Sequence, residues 1–197
     1  MSGLFAVVDE FASGDHICSM HTSTERRDEV LVPYLRDGLV AGHKCVAALT
    51  DPDFSDLQAR LGSRAEVDRW LASRQLQLLG VHDRVTSPET PSVTKMIEFW
   101  ESAQSPIADS GGYEFVRYAA EADWWLPQVA SVSQVLQFEA ILNRLSARYC
   151  ASTLCMYDVR SLDGALMIDL VSTHPKLIID GVSVRNPAYL PPQPFGS

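Results

Sequence analysis

Hydrophobic positions along the chain fall into two patterns, short apolar runs and longer stretches with helical spacing. The runs of strand length cover residues 15–21, 44–49, 76–81, 113–119, 153–158 and 176–180. Between them, apolar residues three and four positions apart predict helices over 24–41, 54–61, 64–72, 92–108, 129–149 and 162–172. This β-α alternation predicts an α/β fold of three layers, with a mostly parallel central sheet and helices on both faces.

Polar residues, glycines and prolines mark where these elements begin and end. The spacing Thr22-x-x-Glu25 predicts a capping box at the start of the first long helix, and Gly42 follows its end. Pro33 lies inside that helix and predicts a bend. Gly181 predicts a turn after which residues 182–184 pair back as a hairpin arm.

The bulk properties limit the possible classes of protein. The 197 residues predict a single domain over 1–197, with a lead-in segment at 1–13 and a proline-rich tail at 186–197. The lack of a membrane-spanning apolar run or a secretory signal predicts a cytoplasmic protein without a membrane partner. The net charge of −9 argues against direct nucleic-acid binding, which needs a basic surface. We expect all four cysteines to be reduced and to lie in apolar surroundings.

Ligands of such folds bind beyond the carboxyl ends of the strands, and that rule selects the candidate binding residues. Tryptophan can supply an aromatic wall there, and carboxylates can orient a ligand. The predicted ligand-binding residues are His21, Thr22, Ser23, Thr24, Arg26, Glu121, Trp124, Tyr157 and Asp158. Two of them have structural alternatives, because Glu121 could cap a helix or form a salt bridge and Asp158 could cap the next helix.

The turn after the first strand argues against ATP hydrolysis. A phosphate loop needs Gly-x-x-x-x-Gly-Lys-Ser/Thr, whereas residues 21–27 here read His-Thr-Ser-Thr-Glu-Arg-Arg. Neither the glycines nor the lysine is present, and Glu25 would repel phosphate. Arg26 or Arg27 could compensate in part, so nucleotide binding is weakened rather than excluded.

Histidine and cysteine residues near the first strand allow a metal site on paper. His16 and Cys18 share a face of the strand, His21 follows, and Cys45 or Cys155 could supply a fourth ligand. The spacing lacks the paired ligands of structural zinc sites, and free cysteines are commonly buried as small hydrophobic residues. We therefore predict no metal and no cofactor, and expect His16 to bond backbone or a carboxylate.

Polar residues on the later helices are predicted to be structural. Glu139 and Asn143 lie one turn apart on the long helix, which predicts a buried hydrogen-bond network near Arg117 or Arg144. His174 follows a helix, where it can meet free carbonyl groups. No Ser/His/Asp triad can be assigned, so no catalytic residue is predicted.

Several blocks of sequence, taken in order, resemble the MEDS domain, a sensory domain of methanogens and methylotrophs. The resemblance covers about residues 14–192 and rests on an ordered set of blocks: Gly-Asp-His-Ile-Cys at 14–18, Val-Pro-Tyr-Leu-Arg-Asp-Gly-Leu at 32–39, Lys-Cys-Val at 44–46, Gln-Phe-Glu-Ala-Ile-Leu-Asn at 137–143, Cys-Met-Tyr-Asp at 155–158, Thr-His-Pro at 173–175 and Asn-Pro at 186–187 followed by Tyr189 and Pro191. It implies a fold like that of the RecA/KaiC ATPases with an eroded phosphate loop. It also implies that His16, Cys18, Glu139 and His174 are structural residues of the family signature.

The resemblance further implies a non-enzymatic sensory role in which a small metabolite, such as a hydrocarbon derivative, is bound for signalling. Family members often carry DNA-binding or kinase-like output domains, and none is recognised in this sequence. We therefore expect the chain to act through a signalling protein partner. A homodimer is a further possibility. The alternatives are a nucleotide-binding protein with weak or no ATPase activity, a metal or redox switch, and an interaction protein whose site is vestigial.

Overall fold

The computed structural model describes residues 11–51, 53–81, 98, 112–122, 126 and 131–191. The predicted turn at 86–91, nearly all of the predicted helix over 92–108, and Trp124 lie outside this set. All structural statements below concern the described residues.

Strands and helices alternate along the chain as the hydrophobic pattern predicts. In chain order they are β1 (His16–His21), α1 (Thr24–Val40), β2 (Lys44–Leu49), α2 (Ser55–Leu61), α3 (Arg64–Ala72), β3 (Leu76–Gly80), β4 (Val116–Glu121), α4 (Val132–Arg148), β5 (Ala151–Asp158), a 3-10 turn (Val159–Ser161), α5 (Gly164–Thr173), β6 (Lys176–Ile179) and β7 (Val182–Arg185). Within the described ranges, none of the helices combines the length and apolar character that crossing a membrane requires.

The strands form one seven-stranded sheet in the order β3-β2-β4-β5-β1-β6-β7. Neighbouring strands run parallel, except that β6 and β7 form an antiparallel hairpin. Asp180 and Gly181 join them, and both have positive φ angles of 48° and 77°, as a two-residue hairpin turn of type I′ requires. The predicted α/β class and the hairpin arm are confirmed.

Each face of the sheet is covered by its own set of helices. Ile17 of β1 packs in the core layer that contains residues of α1, α2 and α3. Cys18, the next residue, packs in the opposite layer with α4 and α5. Because side chains alternate along a strand, His16 shares the face of Cys18, whereas His21 belongs to the face of Ile17. The register places His16 opposite Thr153 and Cys18 opposite Cys155 on β5.

The start of α1 differs from the predicted capping box. The N-cap is Ser23 rather than Thr22, and its hydroxyl accepts a hydrogen bond from the Arg26 amide at 3.3 Å. The helix continues through Pro33 and is followed by Gly42, whose φ is +81°. A capping box with both bonds present occurs instead at Ser63 and Glu66, ahead of α3.

The cysteines match the prediction except at one position. All four are free, and Cys18, Cys45 and Cys155 are buried. Cys150 is exposed, contrary to the expectation of an apolar setting, because it lies in the tight connection between α4 and β5 with a φ of +45°.

Candidate functional site

A cleft of about 310 Å³ opens at the carboxyl end of β1. The end of β1 and the first turns of α1 form one side, and the β6–β7 turn forms the other. The cleft is lined by Ser19, Met20, His21, Thr22, Arg26, Glu29, Val30, Ile178, Asp180 and Gly181. It lies at the position where α/β proteins of this topology bind ligands.

The lining of this cleft, called the β1 cleft below, combines charged and apolar groups. The Arg26 guanidinium is 65% exposed and forms an ion pair of 2.9 Å with Glu29. Met20, Val30 and Ile178 supply apolar surface. Such a lining suits a small molecule that has both an apolar body and a polar group.

The connection between β1 and α1 is too short to form a phosphate loop. Only Thr22 and Ser23 separate the strand from the helix, whereas the phosphate-loop motif places a glycine-rich loop there. The first amides of the helix also have partners, since Arg26 donates to the Ser23 hydroxyl and Arg27 to the Ser23 carbonyl. The connection therefore lacks the glycine-rich loop whose backbone amides surround phosphate in that motif, and the Arg26 amide is already bonded to the Ser23 hydroxyl.

Glu121, at the end of β4, lies in a buried network of charges. Its Oε1 accepts a hydrogen bond of 2.6 Å from the Arg27 guanidinium. Its Oε2 accepts bonds of 2.6 and 2.5 Å from the amide and hydroxyl of Thr50. Arg27 also pairs with Asp28, which in turn pairs with Arg60. The sequence left a ligand contact, a helix cap and a salt bridge open for Glu121, and the structure shows a salt bridge with Arg27.

These contacts explain the ionisation state of Glu121. Burial alone would raise the pKa of its carboxyl group, but the bonds from Thr50 and the positive charge of Arg27 outweigh burial and lower the pKa below its ordinary value. The carboxylate is ionised and both of its oxygens are occupied. Arg27 is likewise engaged, so of the two arginines that could have compensated for the missing lysine only Arg26 faces the β1 cleft.

The other predicted ligand-binding residues lie in different places. Thr24 lines a second cleft, of about 350 Å³, with residues of α1, α2 and the end of β2. Asp158 caps the 3-10 turn by accepting from the Arg160 amide, and the Arg160 side chain lowers the pKa of Asp158 to about 2. Tyr157 lies on the opposite face of the sheet, under α4, and Trp124 is outside the described residues. His21, Thr22 and Arg26 are the predicted residues that the β1 cleft brings together.

That opposite face carries a second polar group of residues, called the His-Glu cluster below. It consists of His16, Glu139, Cys155, Tyr157 and His174, each at most 1% exposed. Glu139 is at its centre: its Oε1 accepts a bond of 2.6 Å from the Tyr157 hydroxyl. Its Oε2 lies 3.2 Å from His16 Nε2 and 3.1 Å from His174 Nε2. His16 Nε2 is also 3.3 Å from Cys155 Sγ.

Burial and mutual contact set the charges in the His-Glu cluster. Burial strongly raises the pKa of the Cys155 thiol and the Tyr157 phenol, and it lowers the pKa of His16. Burial opposes ionisation of Glu139 as well, but attraction to His174 and contact with His16 outweigh it and hold the carboxyl pKa well below its ordinary value. The cluster therefore contains one deeply buried carboxylate.

The buried network predicted around Glu139 exists, and of the two arginines suggested as its neighbours, Arg117 and Arg144, Arg117 is not part of it. The Arg117 guanidinium lies on the other face, where it donates to the Tyr34 carbonyl at 2.9 Å and to His43. The predicted contact of His16 with a carboxylate is confirmed, and Cys155, one of the two cysteines suggested as its neighbour, is 3.3 Å away. The sequence could not identify Glu139 and His174 as the other partners, because these contacts join residues far apart in the chain. The one signal that these partners share in the sequence is their residue type, because histidine, cysteine and glutamate can all bind a metal ion.

The fold and the altered phosphate-loop position define a class of protein: a RecA-like α/β domain without a working phosphate loop. The flagellar accessory protein FlaH from Methanocaldococcus jannaschii superposes with a TM-score of 0.62 at 11% identity, over 85% of this chain and 71% of that one. At that identity the likeness concerns the fold alone.

The particular family follows from the sequence comparison. The family model of the methanogen/methylotroph, DcmR sensory domain, MEDS, matches residues 15–175, and the chain belongs to this family. The transcriptional repressor DcmR of Methylorubrum extorquens is 25% identical over 167 residues, which are 84% of this chain and 60% of the repressor. The chain thus spans less than two thirds of that relative. The resemblance seen in the sequence is confirmed, and a sensory or regulatory role follows.

Proposed function

We propose that this chain is a non-enzymatic sensory domain that binds a small metabolite in the β1 cleft and passes its state to a partner protein. The observation that carries the proposal is the position of this cleft, with its charged and apolar lining, at the carboxyl end of the interior strand β1. Membership of a sensory-domain family supports it.

Two observations support the proposal that this domain is not a catalyst. Glu121 is the acid at the end of β4, and both of its carboxylate oxygens accept hydrogen bonds, one from Arg27 and the other from Thr50. The two-residue connection before α1 has no room for a phosphate loop. An ATPase of the phosphate-loop type would need a glycine-rich loop at this connection and a carboxylate free to orient water, and Glu121 is not free.

The ligand class follows from the size and lining of the cleft. A volume of about 310 Å³ is at the lower end of small-molecule sites. Apolar contact with Met20 and Val30, together with a polar contact near Arg26, suits a short hydrocarbon derivative. Because the cleft joins α1 to the β6–β7 turn, an occupied cleft would change how these two elements present their outer surfaces to a partner or to a second copy of the chain.

The test is a titration followed by NMR chemical shifts, with methanol, methylamine, dichloromethane and magnesium-ATP as separate ligands. We expect at least one small ligand to shift amides around Ser19–Arg26 and around the β6–β7 turn, and ATP to shift none of them. Val30→Trp fills the cleft and should weaken binding at least tenfold. Val40→Trp, on the same helix but at a position that is 73% exposed, is the matched control and should bind normally.

Two results would overturn the proposal. One is saturable binding of magnesium-ATP accompanied by its hydrolysis. The other is binding of the small ligands that Val30→Trp leaves unchanged, because the ligand would then lie elsewhere.

A further inference from the structure

The His-Glu cluster brings together four side-chain atoms of the kinds that bind metal ions. They come from four elements or their ends: His16 from β1, Glu139 from α4, Cys155 from β5 and His174 from the end of α5. One ligand atom from each lies within 4.8 Å of all the others, and all four residues are buried.

Three of the six separations between these four atoms are close to those of ligands around one ion. With Zn–N distances of about 2.0–2.1 Å and a Zn–S distance of about 2.3 Å, tetrahedral geometry places neighbouring ligand atoms roughly 3.3–3.6 Å apart. The observed pairs are at 3.2 Å for His16 and Glu139, 3.1 Å for His174 and Glu139, and 3.3 Å for His16 and Cys155. The three remaining pairs lie within 4.8 Å, so binding of the ion would draw the more distant atoms inward by at most about 1.2 Å.

The hydrogen bonds around the cluster turn the free ligand atoms inward. His174 Nδ1 lies 2.7 Å from the Leu170 carbonyl, so Nδ1 carries a proton, and in the neutral imidazole the lone pair is then on Nε2, which faces Glu139. The Tyr157 hydroxyl occupies Glu139 Oε1 and leaves Oε2 for the centre. Histidines and carboxylates that bind a metal commonly have such hydrogen bonds on the atom that faces away from the ion.

Two of the inward atoms lack a hydrogen bond. His174 Nε2 and Glu139 Oε2 are fully buried and 3.1 Å apart, yet neither has a hydrogen-bond partner of acceptable geometry. Buried polar atoms nearly always have a partner, because an unsatisfied one costs about 1–3 kcal/mol. A cation between these atoms would satisfy both.

We propose that His16, Glu139, Cys155 and His174 form a closed, four-coordinate site for one divalent transition-metal ion such as Zn²⁺. One thiolate and one carboxylate balance the two charges of the ion, which favours binding at a buried position. Two imidazoles, a thiolate and a carboxylate suit Zn²⁺, Fe²⁺ or Co²⁺ rather than Mg²⁺ or Ca²⁺. Four protein ligands leave no open position, so the ion is structural and ties β1 and β5 to the helices above them.

The proposed ligands differ from those that the sequence suggested. The sequence predicted no metal, and the structure leads us to propose one. Of the residues that the sequence suggested as ligands, His16 and Cys155 belong to the proposed site, whereas Cys18, His21 and Cys45 do not. His21 lies on the opposite face of the sheet and lines the β1 cleft. Cys18 is near, but Cys155 is the cysteine within 3.3 Å of His16.

The experiment measures metal content and coordination in the full chain. Protein produced in zinc-supplemented medium and dialysed should contain about one Zn²⁺ per chain by mass spectrometry. Exchange with Co²⁺ should give the intense visible bands of tetrahedral cobalt and a sulfur-to-cobalt charge-transfer band. X-ray absorption of the wild-type zinc protein should show one sulfur and three lighter neighbours, a result that depends on no variant.

Variants identify the ligands. Cys155→Ser should abolish the charge-transfer band and weaken Co²⁺ binding by about a hundredfold or more. Cys18→Ser changes the paired cysteine on β1 in the same core layer and should keep the band. Wild-type protein without stoichiometric metal or cobalt bands would overturn the proposal, as would an absorption spectrum without sulfur or a charge-transfer band that survives Cys155→Ser. Ligand binding in the β1 cleft is measured separately, so either proposal can fail alone.

Discussion

At the scale of single residues, a buried glutamate lies on each face of the sheet, and each has its own kind of partner. Glu121 is ionised beside Arg27 and Thr50, and Glu139 is ionised beside two imidazoles and the Tyr157 hydroxyl. A buried ion pair adds little net stability when compared with an apolar replacement, but removal of one partner leaves the other charge uncompensated. The two glutamates should therefore be sensitive to substitution and to acid.

The Arg27–Glu121 pair predicts a specific pH dependence of stability. The pKa of Glu121 is lowered from its ordinary value of 4.5, so the folded state holds the carboxylate ionised more strongly than the unfolded state does. Its contribution to the free energy of unfolding is complete above about pH 5 and is lost as the pH falls below 4.5 and through the folded pKa. Urea unfolding at pH 7 should show that Glu121→Gln costs about 1–3 kcal/mol.

Urea unfolding between pH 5 and pH 3 distinguishes the contribution of Glu121 from that of the other carboxylates. The stability difference between wild type and Glu121→Gln should shrink as the pH falls. Glu29→Gln, which removes the more exposed acid paired with Arg26, is the control and should change stability by less than about 0.5 kcal/mol. A difference for Glu121→Gln that stays constant across this range would contradict the assigned ionisation.

At the scale of elements, α1 packs directly against the sheet at Tyr34 and Gly38. The Tyr34 hydroxyl reaches the Tyr118 and Ser152 carbonyls, which lie on two neighbouring strands. One turn later, Gly38 faces the side chains of Arg117 and Cys45. A Cβ atom at position 38 would lie 2.6 Å from Arg117 Cδ and 2.8 Å from Cys45 Sγ, so the absence of a side chain permits this close packing.

Gly38→Ala is therefore expected to destabilise the protein even though alanine is the better helix former. The helical preference favours alanine by about 1 kcal/mol, and overpacking of a filled core costs about 1–3 kcal/mol. Thermal unfolding should show a lower Tm. Gly164→Ala is the matched control, since a Cβ at the start of α5 meets nothing within 4 Å and should leave the Tm equal or slightly higher. An unchanged or raised Tm for Gly38→Ala would show that Arg117 can move aside.

At the scale of the whole molecule, the charge distribution limits the partners. A formal net charge of −9 at pH 7 accompanies a RecA-like fold whose phosphate-loop position holds Thr22 and Ser23. Sequence-independent binding to DNA depends on many cationic groups that displace counterions from the phosphates. The chain as a whole lacks that excess of positive charge.

We accordingly expect no binding to duplex DNA by this chain at physiological salt. Fluorescence anisotropy of a labelled duplex should stay flat up to protein concentrations of roughly 100 μM, where weak non-specific complexes are normally detected. A salt-dependent rise in anisotropy would contradict the expectation and would indicate a local basic surface that the net charge conceals.

Local pattern predicted the elements well wherever neighbouring residues decide the structure. The bounds predicted for β2 and α3, at 44–49 and 64–72, are those observed, because continuous burial and amphipathic spacing are both local signals. Predictions that depend on single terminal contacts were less accurate. The cap of α1 moved from Thr22 to Ser23, and β4 begins at Val116 rather than at residue 113.

The sequence by itself determined the α/β class, the order of strands and helices, the loss of the phosphate-loop residues and the family. It did so because periodicity, glycine placement and motif spacing are properties of neighbouring residues. Only the tertiary structure decided which distant side chains meet. Arg27 reaches Glu121 across 94 positions, and His16 reaches Cys155 across 139, because strand order and helix packing are set by the burial of whole faces. His21 of the β1 cleft and His16 of the His-Glu cluster lie on opposite faces of one strand, and that separation follows from the two-residue alternation of side chains along β1, which lies between β5 and β6.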